Sequence, residues 1–394
     1  MNSLSAVNEN KFHLPQLDGL RFFAFFLVFI HHYNPMPDVL KLKHGIVWLI
    51  GRVTFVYGWI GVDFFLCLSS FLLTSLIIME YRKTGNFSIK NFLIRRMLRI
   101  WPLYYLILIL AFMVLPFFNY LAPAFHTPEY HIYIKQHLLP LFFFLGNFSY
   151  AFFADSLTAV ISPLWSVSLE EQFYIFCPLM LLILLPKNKI WFVMFFILLI
   201  FVSLLVRYYI IANSIPYPTI WVFSLARLEP FAMGALLSYF YLYSRFKHYP
   251  IYAFIALIAS IVLFRVLISS HYSEYTASWY LFGIDLACVF MIYAVIQSKI
   301  LAKFFSMKYF AWLGKISFGL YVFHKIAIDF IAVKILPYFY NILDIYHNPV
   351  LFYSFSFVVT LVGTALISAF SYYYFERFFL KFKKKYTAVS SRPI

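Results

Sequence analysis

The strongest constraint on the fold is a series of apolar segments that are each long enough to cross a lipid bilayer. A transmembrane helix needs about 20 mostly apolar residues. Ten segments of the 394-residue chain meet this requirement, namely 17–34, 55–80, 98–117, 170–186, 189–212, 221–243, 250–269, 277–298, 309–336 and 350–376. In lipid, a helix satisfies its own backbone hydrogen bonds. The sequence therefore predicts an all-α membrane protein, a polytopic bundle of about ten transmembrane helices.

Composition and charge agree with this class. Hydrophobic residues make up 64% of the chain and charged residues 12%, whereas a soluble domain is about half apolar and a quarter charged. The net charge of +16 would suggest a nucleic-acid partner in a soluble protein. Here most basic residues flank apolar segments, so we interpret them as topology signals and expect contact with membrane lipids rather than nucleic acid.

The distribution of Lys and Arg predicts the orientation of the bundle. If the N-terminus is cytoplasmic, most basic residues outside the apolar segments lie on the cytoplasmic side, and only Lys41, Lys43, Arg52 and Lys135 lie opposite. Both termini should then be cytoplasmic. We expect one transmembrane domain over 1–386 and a short cytoplasmic tail over 387–394. The apolar stretch 138–153 is shorter and contains Pro140, so we expect a re-entrant or interfacial segment, although an eleventh crossing is possible.

Several polar residues lie inside apolar segments, where a charge costs about 2.5–3.5 kcal/mol on insertion scales. Arg21 and His32 are 11 residues apart, so they share one helix face at a separation of about 16 Å, whereas His31 points about 80° away from that face. This spacing suggests that Arg21 and His32 line one cavity. An anchoring arginine and a hydrogen-bonded core histidine would explain the same residues.

A second basic motif lies at the start of the third apolar segment. Arg96 and Arg99 are three residues apart and share a helix face. Guanidinium groups suit phosphates because they offer paired donors. A phosphate site and an ordinary basic flank both fit this pattern.

Seven sequence blocks together resemble the acyltransferase-3 family of integral-membrane acyltransferases. They are LDGLRFFAFFLVFIHH, GWIGVDFFLCLSSFLLTSLI, RRMLRIWPLYY, SPLWSVSLEEQFYIFCPLML, RLEPFAMGALLSY, LGKISFGLYVFHKI and YYYFERFFLK. The family pattern has an Arg followed 11 residues later by a His, which Arg21 and His32 match. Ser70 stands where Gly is common, and Phe378 stands where the family usually has Pro.

The resemblance implies a ten-span core and a function. It implies acyl-CoA, most simply acetyl-CoA, as a cytoplasmic co-substrate, with no permanently bound cofactor. The acceptor would be a hydroxyl of a cell-surface polysaccharide, such as lipopolysaccharide, or of its lipid-linked precursor. It further implies a place in the bacterial inner membrane. The chain resembles the stand-alone members that have no soluble hydrolase-like domain.

Acyl transfer assigns provisional roles to these residues. His32 is the candidate base, because an imidazole titrates near neutral pH. Arg21 would orient His32, pair with Asp18 or hold a donor phosphate, and Arg96 and Arg99 would bind the phosphates of coenzyme A.

The remaining candidates are acidic residues and a second histidine. Glu170 could assist catalysis, although a capping role at the start of the fourth span is an alternative for Glu170 and Glu171. We expect Asp63, Glu171 and His324 to contact substrate, and a structural hydrogen bond is the alternative for His324. We expect no metal site, because the histidines of the segment 126–137 match no standard zinc spacing.

Two other functions fit the sequence. A transporter or flippase for a glycolipid or acyl group would also need intramembrane Arg, His and Asp. An acyltransferase acting on a lipid, a peptide or an antibiotic would share the donor site. The sequence predicts no oligomeric state.

Overall fold

The computed structural model describes residues 12–33, 57–118, 121–154, 158–243, 250–269, 277–338, 349–387 and 389. In these ranges the backbone forms helices and turns and no strand. The predicted all-α class is therefore confirmed. Of the expected tail 387–394, only Thr387 and Val389 are among the described residues.

The longer helices follow the apolar segments of the sequence. They are α1 Pro15–His32, α2 Ile60–Thr84, α3 Ile89–Ile109, α4 Leu164–Leu184, α5 Lys189–Ala212, α6 Glu229–Tyr243, α7 Pro250–Ser269, α8 Ala277–Gln297, α9 Lys308–Lys315, α10 Ser317–Ala327 and α11 Pro349–Ser371. Short α-helices occur at Pro128–Tyr133, Leu139–Phe142, Gly146–Phe153, Thr219–Val222, Lys299–Phe305 and Arg377–Phe382. Turns of π-helix lie at Leu110–Val114, Ile134–Leu138, Ile328–Ile335 and Tyr372–Glu376, and turns of 3-10 helix at Leu115–Phe118, Ser224–Arg227 and Lys383–Tyr386.

The predicted count of ten spans is not confirmed. In the described ranges, six helices are long and apolar enough to cross a membrane: Ile60–Thr84, Ile89–Phe118, Leu164–Leu184, Lys189–Ala212, Ser278–Gln297 and Ser354–Tyr386. A seventh results if α9 and the helix Ser317–Tyr338, which meet at a bend of 74°, form one span. The expected span 221–243 is broken, because α6 begins only at Glu229 and has 15 residues.

The turn between α2 and α3 shows how the local sequence ends one helix and begins the next. Gly85 has a φ of 74°, a left-handed conformation that glycine adopts without strain, and α2 ends there. Ser88 then caps α3, because its hydroxyl accepts a hydrogen bond from the Asn91 backbone amide at 3.2 Å. Beyond this turn, Arg95 of α3 forms an ion pair with Glu80 of α2 at 3.2 Å, which joins the two helices next to the turn.

Helix α2 lies at the centre of the bundle, and 83% of its most apolar stretch is buried. Two glycines allow its close contacts. A Cβ atom on Gly61 would collide with the Ala24 carbonyl oxygen of α1, and one on Gly234 of α6 would collide with the Cys67 carbonyl oxygen of α2. Small residues at such crossings let helix backbones approach closely in a membrane. These contacts fix α1 and α6 against α2.

The stretch 138–153 forms two short helices, Leu139–Phe142 and Gly146–Phe153. Neither has the length of about 20 residues that a crossing requires. The stretch packs against α3 and α4 instead. Tyr104 donates a hydrogen bond to the Leu141 carbonyl oxygen at 2.7 Å, and the Gly146 amide donates to the Ser168 hydroxyl at 3.1 Å. A re-entrant or interfacial position for this stretch stays a prediction.

Candidate active site

Two cavities meet inside the bundle and share part of one wall. The first, here called the arginine cavity, has a volume of about 630 Å³ including its open mouth and contains Arg21, Arg96 and Arg99 in its lining. The second, here called the aromatic cavity, has a volume of about 920 Å³ on the same basis. Its lining contains His31, His32, Trp59, Tyr150, Trp165, Tyr217, Trp221 and Lys325.

Val62 of α2 and Tyr321 of α10 line both cavities. The Tyr321 hydroxyl is hydrogen-bonded to the Ser166 hydroxyl at 2.6 Å, and its ring packs edge-on against Phe65 with the ring centroids 5.6 Å apart. These contacts hold the phenol ring in place. The two cavities are therefore separated by one aliphatic and one aromatic side chain, here called the Val62–Tyr321 partition.

This arrangement corrects one expectation. Arg21 and His32 were expected to line a single cavity, with His31 turned away, but Arg21 lines the arginine cavity while His31 and His32 both line the aromatic cavity. Helix geometry correctly puts Arg21 and His32 on one face. Helix geometry does not reveal that Val62 and Tyr321 lie where the two cavities meet. It also does not reveal that the aromatic cavity is wide enough to include His31 as well as His32.

The arginine cavity is strongly basic. Arg21 of α1 joins Arg96 and Arg99 of α3, and Glu170 is the carboxylate among its described lining residues. The guanidinium carbon of Arg96 lies 5.5 Å from the centre of the Tyr174 ring, a cation–π contact that orients the side chain. Three guanidinium groups and one carboxylate leave an excess of positive charge. Such a site suits a ligand with several phosphate groups.

Glu170 is fixed in this cavity by two donors. The Ser69 hydroxyl donates to Glu170 Oε1 at 3.1 Å, and the Tyr174 hydroxyl donates to Glu170 Oε2 at 2.6 Å. Glu171 points elsewhere and lines neither cavity, and its Oε2 accepts a hydrogen bond from the Trp101 indole at 3.1 Å. Of the two adjacent carboxylates, Glu170 alone faces the cavity.

His32 and His324 are directly hydrogen-bonded, with His32 Nδ1 and His324 Nε2 3.0 Å apart. His324 Nδ1 lies 2.5 Å from the Tyr321 carbonyl oxygen, which can only accept, so this nitrogen carries the proton of the neutral ring. His324 Nε2 is then an acceptor. His32 Nδ1, which faces that acceptor and also the Val28 carbonyl oxygen at 3.1 Å, must be the donor.

This assignment leaves His32 Nε2 with a lone pair. Among the described residues, this nitrogen has no hydrogen-bond donor, and His32 lines the aromatic cavity. A base needs such an available lone pair within reach of the proton that it removes. His324 lines neither cavity and contacts His32, so the geometry favours a role in positioning His32, and the expected substrate contact of His324 stays a prediction.

Comparison with known proteins identifies the family of this chain. A family model described as an acyltransferase domain matches residues 14–369, which include all eight predicted site residues. The chain belongs to the acyltransferase-3 family. A provisionally named O-acetyltransferase of Staphylococcus aureus strain COL is 28% identical over 338 residues, and the O-acetyltransferase OatA of Staphylococcus aureus strain NCTC 8325 is 29% identical over 338 residues.

Each of these two matches covers 81% of this chain and 51% of the relative. The chain thus spans about half the length of the curated relatives that it matches. No solved structure matches the chain.

In this acyltransferase-3 protein, Asp63 lies away from both cavities. It is 1% exposed and forms an ion pair with Arg227 of the turn before α6. Next to this pair, Arg207 of α5 contacts Glu229 of α6, and both side chains are fully buried. The expected substrate contact of Asp63 stays a prediction, and Asp63 is absent from the lining of both cavities. Its carboxylate instead neutralises a buried guanidinium, because an unpaired charge inside the bundle is costly.

Sequence reasoning missed most of the aromatic cavity. Trp59 and Trp221 stack edge-on with ring centroids 4.4 Å apart, and Tyr150 lies near Trp165 at 6.2 Å. These rings come from four separate segments of the chain. Because aromatic residues make up 23% of the chain, the sequence does not distinguish these cavity-lining rings from lipid-facing ones. Of these four rings, Trp59 and Trp165 had a signal, because they lie in the GWIGVDFFLCLSSFLLTSLI and SPLWSVSLEEQFYIFCPLML blocks that carry the family resemblance.

Proposed function

We propose that this acyltransferase-3 protein moves an acyl group, most simply acetyl, from acyl-CoA to a hydroxyl of a cell-envelope saccharide. The observation that carries this proposal is the pair of cavities of contrasting chemistry that share the Val62–Tyr321 partition. The arginine cavity suits a polyanionic donor, and the aromatic cavity presents a base, His32, beside aromatic rings. Such a pair provides separate sites for a donor and an acceptor, with one partition for the acyl group to pass.

The donor would bind in the arginine cavity. Coenzyme A carries several phosphate groups, and Arg96, Arg99 and Arg21 offer paired donors for them. Arg96 and Arg99 lie in α3, which follows the basic turn after α2, and the distribution of Lys and Arg favours the cytoplasmic side for that turn. A donor site near the cytoplasmic side fits a donor that is made in the cytoplasm. The linear pantetheine arm would then extend toward the partition.

The acceptor hydroxyl would bind in the aromatic cavity beside His32. As the hydroxyl oxygen attacks the thioester carbonyl carbon, His32 Nε2 takes the hydroxyl proton. The new C–O bond forms, the C–S bond breaks, and the imidazolium returns the proton to the leaving sulfur. His324 Nε2, 3.0 Å from His32 Nδ1, stabilises the imidazolium through this hydrogen bond. Proton transfer of this kind contributes about 10²–10⁴-fold to a rate.

A saccharide is the acceptor that the aromatic cavity favours. Trp59, Trp165 and Trp221 offer flat apolar faces with indole N–H donors at their edges, and Tyr150 and Tyr217 add hydroxyls. A sugar ring likewise combines apolar C–H faces with hydroxyl edges. We place the protein in the bacterial cytoplasmic membrane, with both termini on the cytoplasmic side.

The test is donor turnover by the purified protein in detergent. Wild-type protein should release CoA thiol from acetyl-CoA when a glycan extract of its host is added, and His32→Ala should lower the rate by about 10²–10⁴-fold. His131→Ala is the matched control, because His131 is exposed and lines neither cavity. Both variants should elute as folded protein on size exclusion.

Two results would contradict the proposal. A wild-type protein that transports glycolipid but releases no thiol would be a transporter or flippase. A His32→Ala variant that keeps full activity would remove the base. Mass spectrometry of surface glycans from a deletion strain would then identify the sugar and the position that lose their acyl group.

A further inference from the structure

The described lining of the aromatic cavity contains basic side chains and no acidic ones. Its lining includes the ammonium group of Lys325 and the imidazoles of His31 and His32, and the described lining residues include no Asp or Glu. The arginine cavity differs, because Glu170 stands among its three guanidinium groups. The aromatic cavity therefore offers a positive charge that its own described lining does not neutralise.

Lys325 has a different environment from the two fully buried arginines of the bundle. Arg207 contacts Glu229, and Arg227 contacts Asp63. Lys325 forms no hydrogen bond and no ion pair with a described residue.

The carboxylate whose charge acts on Lys325 is Asp329, four residues further along the same helical segment and outside the cavity lining. Lys325 itself is half-buried. A half-buried ammonium without a hydrogen-bonded partner is costly unless a ligand supplies one. The protein thus pairs the two fully buried arginines, Arg207 and Arg227, and leaves the Lys325 ammonium facing the acceptor site.

We infer that the acceptor is an anionic saccharide, whose carboxylate or phosphate group binds Lys325 while a sugar ring lies against the tryptophans. This inference rests on the proposed function, because it names the chemical class of the acceptor at the same site. Charge-assisted hydrogen bonds from an ammonium to an oxyanion are shorter and about twice as strong as neutral ones. Lys325 follows His324 directly in α10, so the anion would be held close to the base.

The test measures saccharide binding without acyl-CoA, by calorimetry on protein in nanodiscs of neutral lipid. Hyaluronan tetrasaccharide supplies carboxylates, and N-acetylchitotetraose is the neutral counterpart. N-acetylglucosamine 1-phosphate and N-acetylglucosamine form the matching phosphate pair. Wild-type protein should bind at least one anionic probe about tenfold more tightly than its neutral counterpart, as one charge-assisted hydrogen bond provides. The pair that shows the difference identifies carboxylate or phosphate as the recognised group.

Three variants assign the effect to the ammonium. Lys325→Met keeps the length of the side chain and should lose about tenfold in affinity for the anionic probe, with affinity for the neutral probe changed less than twofold. Lys325→Arg should keep the preference. Lys334→Met is the matched control, because Lys334 lies in the same helical segment but is exposed and outside the cavity lining.

Equal or absent binding of the anionic and neutral probes by wild-type protein would overturn the inference. A Lys325→Met variant that binds the anionic and the neutral probe equally more weakly would overturn it too. So would a Lys325→Met variant that slows acyl transfer while its affinity for the anionic probe is kept, since Lys325 would then act on the reaction rather than on the acceptor. Because binding is measured without acyl-CoA, each of these three outcomes leaves the release of CoA thiol by wild-type protein as an independent test of acyl transfer.

Discussion

Replacement of His324 gives the most direct test of the hydrogen-bonded histidine pair. His324→Leu removes the ring nitrogen that accepts the His32 Nδ1 proton at 3.0 Å, and it leaves the side chain apolar and of similar size. His32 then keeps only the Val28 carbonyl oxygen at 3.1 Å as an acceptor for Nδ1. The candidate base remains, but one of the two groups that fix its tautomer and orientation is lost.

The magnitude follows from the charge that develops on His32. A hydrogen bond to a charged group contributes about 1.5–3 kcal/mol, and each 1.36 kcal/mol corresponds to about tenfold in rate. Because the imidazolium forms only as the proton is transferred, the loss should fall on kcat. We expect His324→Leu to lower kcat by roughly 10–100-fold and to change KM for acetyl-CoA by less than about twofold.

The assay is release of CoA thiol over a range of acetyl-CoA concentrations at saturating glycan extract. His324→Gln is the matched variant, because its amide oxygen can accept the same His32 proton, and it should recover a large part of the lost kcat. A size-exclusion profile and thermal unfolding check that both variants fold. If kcat is unchanged in His324→Leu, or if Gln is no better than Leu, then the histidine pair does not orient the base. A rise in KM alone would instead indicate that His324 contacts substrate.

Three further predictions test the neighbouring features. Arg96→Ala and Arg99→Ala should each raise KM for acetyl-CoA about tenfold or more, through loss of a charge-assisted phosphate contact, and an unchanged KM in both variants would remove the phosphate site. Val62→Ala widens the partition and should raise kcat/KM for propionyl-CoA relative to acetyl-CoA by roughly tenfold, whereas an unchanged ratio would show that the acyl group does not pass Val62. Arg207→Ala leaves Glu229 buried without its partner and should destabilise the protein by about 3–5 kcal/mol. Thermal unfolding measures this loss, and a double variant with Glu229→Gln should lose less than the sum of the single variants.

Much of the fold could be predicted from the sequence, because the bilayer imposes a simple local rule. The long apolar segments that the structure describes are helical over most of their length, and α5, α7 and α8 match the predicted spans to within one residue. The count of spans could not be predicted in the same way. The segment 221–243 is broken before Glu229, and the segment 309–336 bends by 74° between α9 and the following helix. A hydropathy value averaged over a window of residues does not detect such breaks.

The sequence alone identified several residues of the site, but it did not show which cavity each of them lines. Local spacing fixed Arg96 and Arg99 on one face of α3, and the family match was carried by blocks that the sequence shows directly. Spacing also put Arg21 and His32 on one face of α1, because helix geometry is a local property. It could not predict the division of that face by Val62 and Tyr321.

The tertiary structure alone decided which of these residues work together. His32 and His324 are 292 residues apart in the chain and 3.0 Å apart in the fold. Asp63 became a structural partner of Arg227, and Glu170 rather than Glu171 faced the arginine cavity. Contacts of this kind depend on how helices cross, which is set by side-chain packing between distant segments. No local pattern in the sequence records that packing.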